Sequence, residues 1–355
     1  MRPDRLPLTL WREHRVLVLL VAAYLIGGYA VDAAIGDVMA LSLRYPAVEA
    51  VTVLFVVFFL SGHAFRCLPK VPEGTSAFRF IWDDLRTQWL QPRRLGGFAI
   101  VYALLPFFMS TFGSLKVAIP RLRPFDWDET FHAWDIALHG GPPFEWLHPA
   151  PEALTVAMNV AYNAWIFLLF AILIGQAFSM KRRQRMHFLL SFVLLWILAG
   201  TLLATWTASV GPCFWGDLFP GQPDPYAPLM DELYRVHEVR HLWAVDVQEQ
   251  LWAAYERGEV ETVAGISAMP SMHVATSVLF ALAGWARHRG AGIALGAFAL
   301  VILVGSVHLG WHYAIDGYVG AVCAVLVWFA VGWLLDRTGE GVSEPSTPPG
   351  ESPVS

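Results

Sequence analysis

The chain has 355 residues, 56% of them hydrophobic and 15% charged, with a net charge of −5 and a mean hydropathy of +0.49. Soluble domains carry about 25% charged residues, so a soluble globular fold is excluded. No basic stripe marks a nucleic-acid partner. The chain reads instead as an all-α polytopic membrane protein, in which each helical span needs roughly 20 apolar residues.

Eight spans are predicted in chain order, at about 16–33, 48–65, 97–115, 153–178, 188–210, 272–286, 291–307 and 314–335. The first follows Arg2, Arg5, Arg12 and Arg15 and has a second reading, a cleaved signal peptide. With the N-terminus inside, 17 of the 24 Lys and Arg residues fall in cytoplasmic segments, including "KRRQR" at 181–185. By the positive-inside rule both termini are expected to be cytoplasmic. Two large loops, about 116–152 and 211–271, then face the other side. The plasma membrane is the expected location. Cys67, Cys213 and Cys323 fall inside, outside and within a span, so no disulfide framework is expected.

Between the spans, "FRFIWDDLRTQWLQP" in the inner loop 66–96 predicts a short amphipathic helix on the membrane surface. In the loop 211–271, "EVRHLWAVDVQEQLWAAYERG" predicts a helix over the outer face. The tail from 337 to 355 is rich in Pro, Ser, Gly and Glu and is expected to be disordered.

Three constellations could carry chemistry. "KVAIPRLRP" places Lys116, Arg121 and Arg123 just outside the third span. Clustered cations suit a phosphate, although snorkelling to headgroups explains them equally well. In "SAMPSMHV", Pro270 and Ser271 have the character of a helix start, with His273 in the first turn. Such a terminus attracts phosphate; its plainer reading is a cap beside an interfacial histidine. In "GSVHLGWHYAIDGYVG", His308, His312 and Asp316 are spaced i, i+4, i+8 and share one face if the segment is helical. A carboxylate one turn from an imidazole can hold its tautomer and leave the other nitrogen as a nucleophile. The same set could be a structural hydrogen bond or, with two histidines and an aspartate, a zinc site.

Together these segments resemble the type 2 phosphatidic acid phosphatase superfamily, whose pattern is K-x6-R-P, then P-S-x-H, then S-R-x5-H-x3-D. Lys116, Arg123 and Pro124 match the first motif; Pro270, Ser271 and His273 the second; His312 and Asp316 the end of the third. Gly305 and Ser306 stand where the third motif has S-R. That departure, the long gap between the first two motifs, "WHYAID" and the loop "FDWDETFHAWDIALHGG" (125–141) are more similar to the inositol phosphorylceramide synthase branch, which moves a phosphohead group to an acceptor hydroxyl. The resemblance implies a six-helix core within 97–336, after an N-terminal two-helix unit at 1–96. It also implies a phosphohistidine on His312, oriented by Asp316, with His273 as acid and base and Ser271, Lys116 and Arg123 on the phosphate. Arg121, Arg235 or Arg240 could replace the missing arginine. A membrane lipid substrate is expected, with no cofactor and no metal. Phosphatase and phosphotransferase both stay open at this point, as do a transporter and a metal-dependent membrane hydrolase.

Overall fold

The computed structural model describes residues 6–36, 38–42, 46–258 and 265–338. Arg2, Arg5, Arg44 and the tail beyond Thr338 lie outside them. Among the described residues every regular element is helical. In chain order these are α1 (Leu6–Ile35), α2 (Pro46–Cys67), α3 (Ala77–Gln88), α4 (Pro92–Leu122), α5 (Asp128–His139), α6 (Glu152–Ala177), α7 (Arg182–Ile197), α8 (Ala204–Trp206), α9 (Trp215–Leu218), α10 (Ala227–Val239), α11 (Trp243–Glu256), α12 (Met272–Arg287), α13 (Arg289–His308) and α14 (Ala314–Arg337). A π-helical turn, Leu198–Leu203, joins α7 to α8 and keeps 182–206 one continuous rod.

Seven of these rods are long and apolar enough to cross a membrane: α1, α2, α4, α6, the α7–α8 rod, α13 and α14. The protein is therefore an all-α integral membrane protein. The eighth expected span, α12, has only 16 residues. At 1.5 Å per residue it is about 24 Å long, short of the roughly 30 Å hydrocarbon layer. Its start is fixed by the cap at Ser271, which follows Pro270 and the non-helical run 265–270. The α12 helix packs against α6, α7, α13 and α14, and its Ala275, Leu279 and Phe280 are fully buried. Gly320 on α14 allows a close approach: a Cβ there would lie 2.6 Å from the Ser271 carbonyl oxygen.

Three further differences from the sequence expectation have physical causes. Helix α4 runs on to Leu122, so Lys116 and Arg121 lie within it rather than in a loop. Pro120 is tolerated there at the loss of one ladder bond, the one its N–H would have donated to the Lys116 carbonyl. Arg185, the last cation of "KRRQR", is buried rather than solvated: Glu13 of α1 accepts from its Nη2 at 2.7 Å and also from Arg93 of α4. With the buried Tyr24–Thr201 hydrogen bond at 2.7 Å, this ties α1 to the body. The two helices predicted outside the spans form as α3 and α11, although the outer segment breaks at Arg240–Leu242 between α10 and α11.

Candidate active site

His312 lies in a five-residue turn, 309–313, that separates α13 from α14. The break is set by Gly310, whose φ of 74° is open to glycine at no steric cost. The Ser306 carbonyl accepts from both Trp311 N and His312 N, at 3.0 and 3.2 Å, and closes the turn. The helix that would have put His308, His312 and Asp316 on one face is therefore absent. His308 ends α13, stacks on His148 at 4.4 Å, and its Nε2 meets Thr155 Oγ1 at 2.9 Å. It packs away from His312, and the proposed zinc triad does not form.

Asp316 still meets His312, because it occupies the third position of α14 and folds back over its start. Its Oδ2 accepts from Tyr313 N at 3.1 Å and lies 3.3 Å from His312 Nδ1. Both side chains are buried. Two more carboxylates hold the same turn. Asp135 of α5 accepts from Ala314 N and Ile315 N at 2.7 and 3.0 Å, satisfying two of the donors that a helix start leaves open. Asp128 accepts from the Tyr313 hydroxyl and from Gly211 N, each at 2.9 Å, and from Val210 N at 3.0 Å. Both aspartates come from the loop 125–141, and the motifs did not single them out. Burial pushes both carboxyls up, and the backbone N–H donors pull them partly back.

The second histidine enters from α12. Ser271 caps that helix: its Oγ accepts from Val274 N at 3.4 Å, and its own N–H donates to the Asp316 carbonyl at 3.0 Å. The His273 ring stacks on Tyr162 (4.3 Å between centroids) and tilts against Trp165 (4.0 Å), both from α6. Trp165 is fixed in turn by donating Nε1–H to Thr276 Oγ1 at 2.9 Å. The run before α12 is pinned to residues after α8: Ala268 N donates to the Ser209 carbonyl at 2.9 Å and Met269 N to Ser209 Oγ at 3.2 Å.

Lys116 and His312 both bear electrostatically on His273, and Lys116 bears on His312. The three groups share one buried region. A Cβ on Gly265 would come within 2.7 Å of the Lys116 backbone, so the run 265–271 passes directly over this lysine. Burial first, and then the Lys116 ammonium, push the His312 imidazole down to about 3, opposed by a hydrogen bond to the Ala268 backbone. A neutral imidazole whose Nδ1 faces a carboxylate is the form a nucleophile requires.

The arginines are elsewhere. Arg123, just past α4, pairs with Asp126 at 3.3 Å. Arg121 donates to the Gly36 carbonyl at 3.1 Å. Arg235 bridges Glu232 and Glu152 at 2.7 and 3.0 Å, and Arg240 is exposed at the end of α10. At the position of the family arginine, Ser306 is buried and donates its hydroxyl to the Leu303 carbonyl at 2.7 Å.

A neutral, carboxylate-oriented imidazole, a second imidazole in an aromatic wall and one ammonium form a set suited to an anionic ester. A family model described as the PAP2 superfamily matches residues 129–330. The match takes in both histidine motifs and the Asp135 bracket, and begins after Lys116, Arg123 and Pro124. No curated protein and no solved structure matches the chain. Spanning more than half the sequence and the whole His312 turn, the match places this membrane protein within the PAP2 superfamily.

Proposed function

We propose that the protein transfers a phosphoryl or phosphohead group from a lipid phosphoester through a phosphohistidine on His312. The observation that carries this reading is the buried His312–Asp316 pair at 3.3 Å, with His273 and Lys116 within electrostatic reach. His312 Nε2 attacks phosphorus and the ester P–O bond breaks. The departing alkoxide takes its proton from His273, whose protonation the bound phosphate's negative charge favours. The acceptor hydroxyl then loses its proton to His273 and attacks the phosphohistidine, and the P–N bond breaks. Lys116 and the α12 N-terminus near Ser271 stabilise the non-bridging oxygens, the main contribution a protein makes to phosphoryl transfer. Arg123 and Arg121 join that cradle only on leaving Asp126 and the Gly36 carbonyl. With α12 counted as an eighth crossing, the bias of Lys and Arg puts the site on the extracytoplasmic face and both termini in the cytoplasm.

Hydrolysis and transfer share the first half-reaction and differ in the acceptor. The resemblance to the inositolphosphotransferase branch puts a lipid or polyol hydroxyl beside water as that acceptor. The deciding experiment incubates purified protein with labelled phospholipids, with and without diacylglycerol, ceramide or inositol. Free phosphate alone assigns a phosphatase, and an acceptor-dependent labelled product assigns a transferase. Neither product from any donor, with no acid-labile phosphoprotein, would sink the proposal.

A further inference from the structure

At the opposite end of the molecule from His312, a second group of side chains has no part in this chemistry. His63 and Cys67 stand one turn apart on α2, and Asp84 faces them from α3. His63 Nε2 lies 3.4 Å from Asp84 Oδ2, Cys67 Sγ 3.7 Å from His63 Nε2, and Cys67 Sγ 3.8 Å from Asp84 Oδ2. We propose that His63, Cys67 and Asp84 bind a divalent transition metal, zinc above all, which clips α3 to α2.

The geometry favours a shared ion over a chain of hydrogen bonds. An N–H···O bond spans about 2.7–3.2 Å, and the His63–Asp84 separation exceeds it. Zinc bonds of about 2.3 Å to sulfur and about 2.0–2.2 Å to nitrogen and oxygen, at tetrahedral angles, set ligand atoms about 3.3–3.6 Å apart. All three observed edges lie near that range. A thiolate, an imidazole and a carboxylate together suit zinc, with one position left for water. His63 and Cys67 are buried, while the Asp84 side chain is 27% exposed and leaves an entry path.

The surroundings support the same reading. Gln88 donates Nε2–H to Asp84 Oδ1 at 2.6 Å, leaving Oδ2 for the ion. The His63 ring lies beside the Phe59–Trp89 pair, with centroids 6.1 and 6.5 Å away. Such outer contacts orient ligands. Within helix α3 Leu85 is the one buried residue, and Trp89 at its C-cap meets Phe59 of α2 at 4.6 Å. The other comparable group, His237, His241 and Asp246, fails this test. There His237 Nδ1 accepts from Leu242 N at 3.1 Å, so its Nε2 carries the ring proton and cannot ligate. His241 and Asp246, at 3.0 Å, are at hydrogen-bond distance.

Binding would expel the Cys67 thiol proton to solvent. The test uses full-length protein freed of any histidine tag, grown with zinc and passed over a chelating resin. One zinc per chain is expected in the parent and none in Cys67→Ser or Asp84→Asn. Cobalt loaded in place of zinc should give a thiolate-to-cobalt charge-transfer absorption that survives Cys213→Ser and Cys323→Ser. Gln88→Ala should weaken cobalt binding by roughly 10–100-fold. A parent protein with no more zinc than Cys67→Ser, or no thiolate–cobalt absorption, overturns the proposal, and the parent's cobalt spectrum decides even if a variant fails to fold. None of these readouts depends on the phosphotransfer reading.

Discussion

At the His312 end of the candidate site, three carboxylates grip one turn of backbone; at the Lys116 end, two guanidiniums are engaged elsewhere. Asp316, Asp135 and Asp128 together accept five backbone N–H groups and the Tyr313 hydroxyl, all within or beside the turn that carries His312. Arg123 and Arg121 instead hold Asp126 and the Gly36 carbonyl. The first end is organised before substrate arrives. The second keeps one cation in place, Lys116, and has others within a few residues. On the proposed function, such a site would position the attacking atom rigidly and complete its charge neutralisation only around a bound phosphate.

The largest expected effect tests the organised end. His312→Ala should abolish the acid-labile phosphoprotein and lower turnover by at least about 10⁴-fold, as loss of a nucleophile does elsewhere. His273→Ala should be severe on an alkyl ester, yet recover part of its first-step rate on a phenyl ester, whose leaving group needs little protonation. A phosphoenzyme that persists in His312→Ala and is absent in His273→Ala on both esters would reverse the two roles.

Lys116→Met should cost about 10²–10³-fold in kcat/KM, the usual price of one preorganised donor, and Arg123→Met clearly less. Equal losses would show that Arg123 swings onto the phosphate during turnover and would erase the contrast between the ends.

The pH dependence is next. Held at about 3 by burial and Lys116, His312 stays neutral where an ordinary imidazole titrates near 6.5. Phosphoenzyme formation in single-turnover rapid quench should therefore show no acid limb from the nucleophile above about pH 4. The contribution of His312 to stability has the matching sign, while the raised Asp128 and Asp135 carboxyls act in the opposite direction. The unfolded chain takes up this proton near 6.5 and the folded chain only near 3, so the His312 contribution falls as pH drops through that window. A tenfold loss of phosphoenzyme rate per pH unit below about 6.5 would mean that the turn opens to water in the working enzyme.

Asp135→Ala removes the clamp on α14 without touching the chemistry. Loss of such a cap costs about 1–2 kcal/mol, readable as a lower thermal midpoint in detergent, with phosphoenzyme yield falling alongside. An unchanged midpoint would mean that the turn holds without the bracket. The smallest effect belongs to Asp126→Ala. The Arg123–Asp126 pair is about one-third to one-half exposed, and such pairs are worth about 0–1 kcal/mol. Releasing Arg123 should lower KM by up to about fivefold, and a raised KM would assign Asp126 itself to the site.

The sequence made the apolar rods legible because their composition alone selects a membrane helix, and the amphipathic stretch over α3 was equally readable. The i, i+4 spacing of His312 and Asp316 correctly paired them, though through a fold-back at a helix start and not a shared helical face. The same spacing misplaced His308, because a single left-handed glycine at 310 ends the helix between them. The loop 125–141 was legible as family-like, but the brackets that Asp128 and Asp135 make from it were not. Their partners lie 82 to 185 residues away in the chain, and a carboxylate that caps a distant helix has no spacing rule. The Gly36 carbonyl that receives Arg121 was hidden for the same reason, whereas Asp126 stands only three residues from Arg123 and was open to reading as its partner.

The short α12 has a consequence for the lipid around it. Were Arg287 to reach one headgroup layer, a rod of about 24 Å would leave its capped end about 6 Å beneath the other. A bilayer meeting such a rod thins locally or lets water and headgroups sink toward it, at a cost of fractions of a kcal/mol per Å. The protein would then draw its substrate's phosphate down to the histidines by deforming the membrane, and the thickness of the surrounding lipid would set how readily it does so.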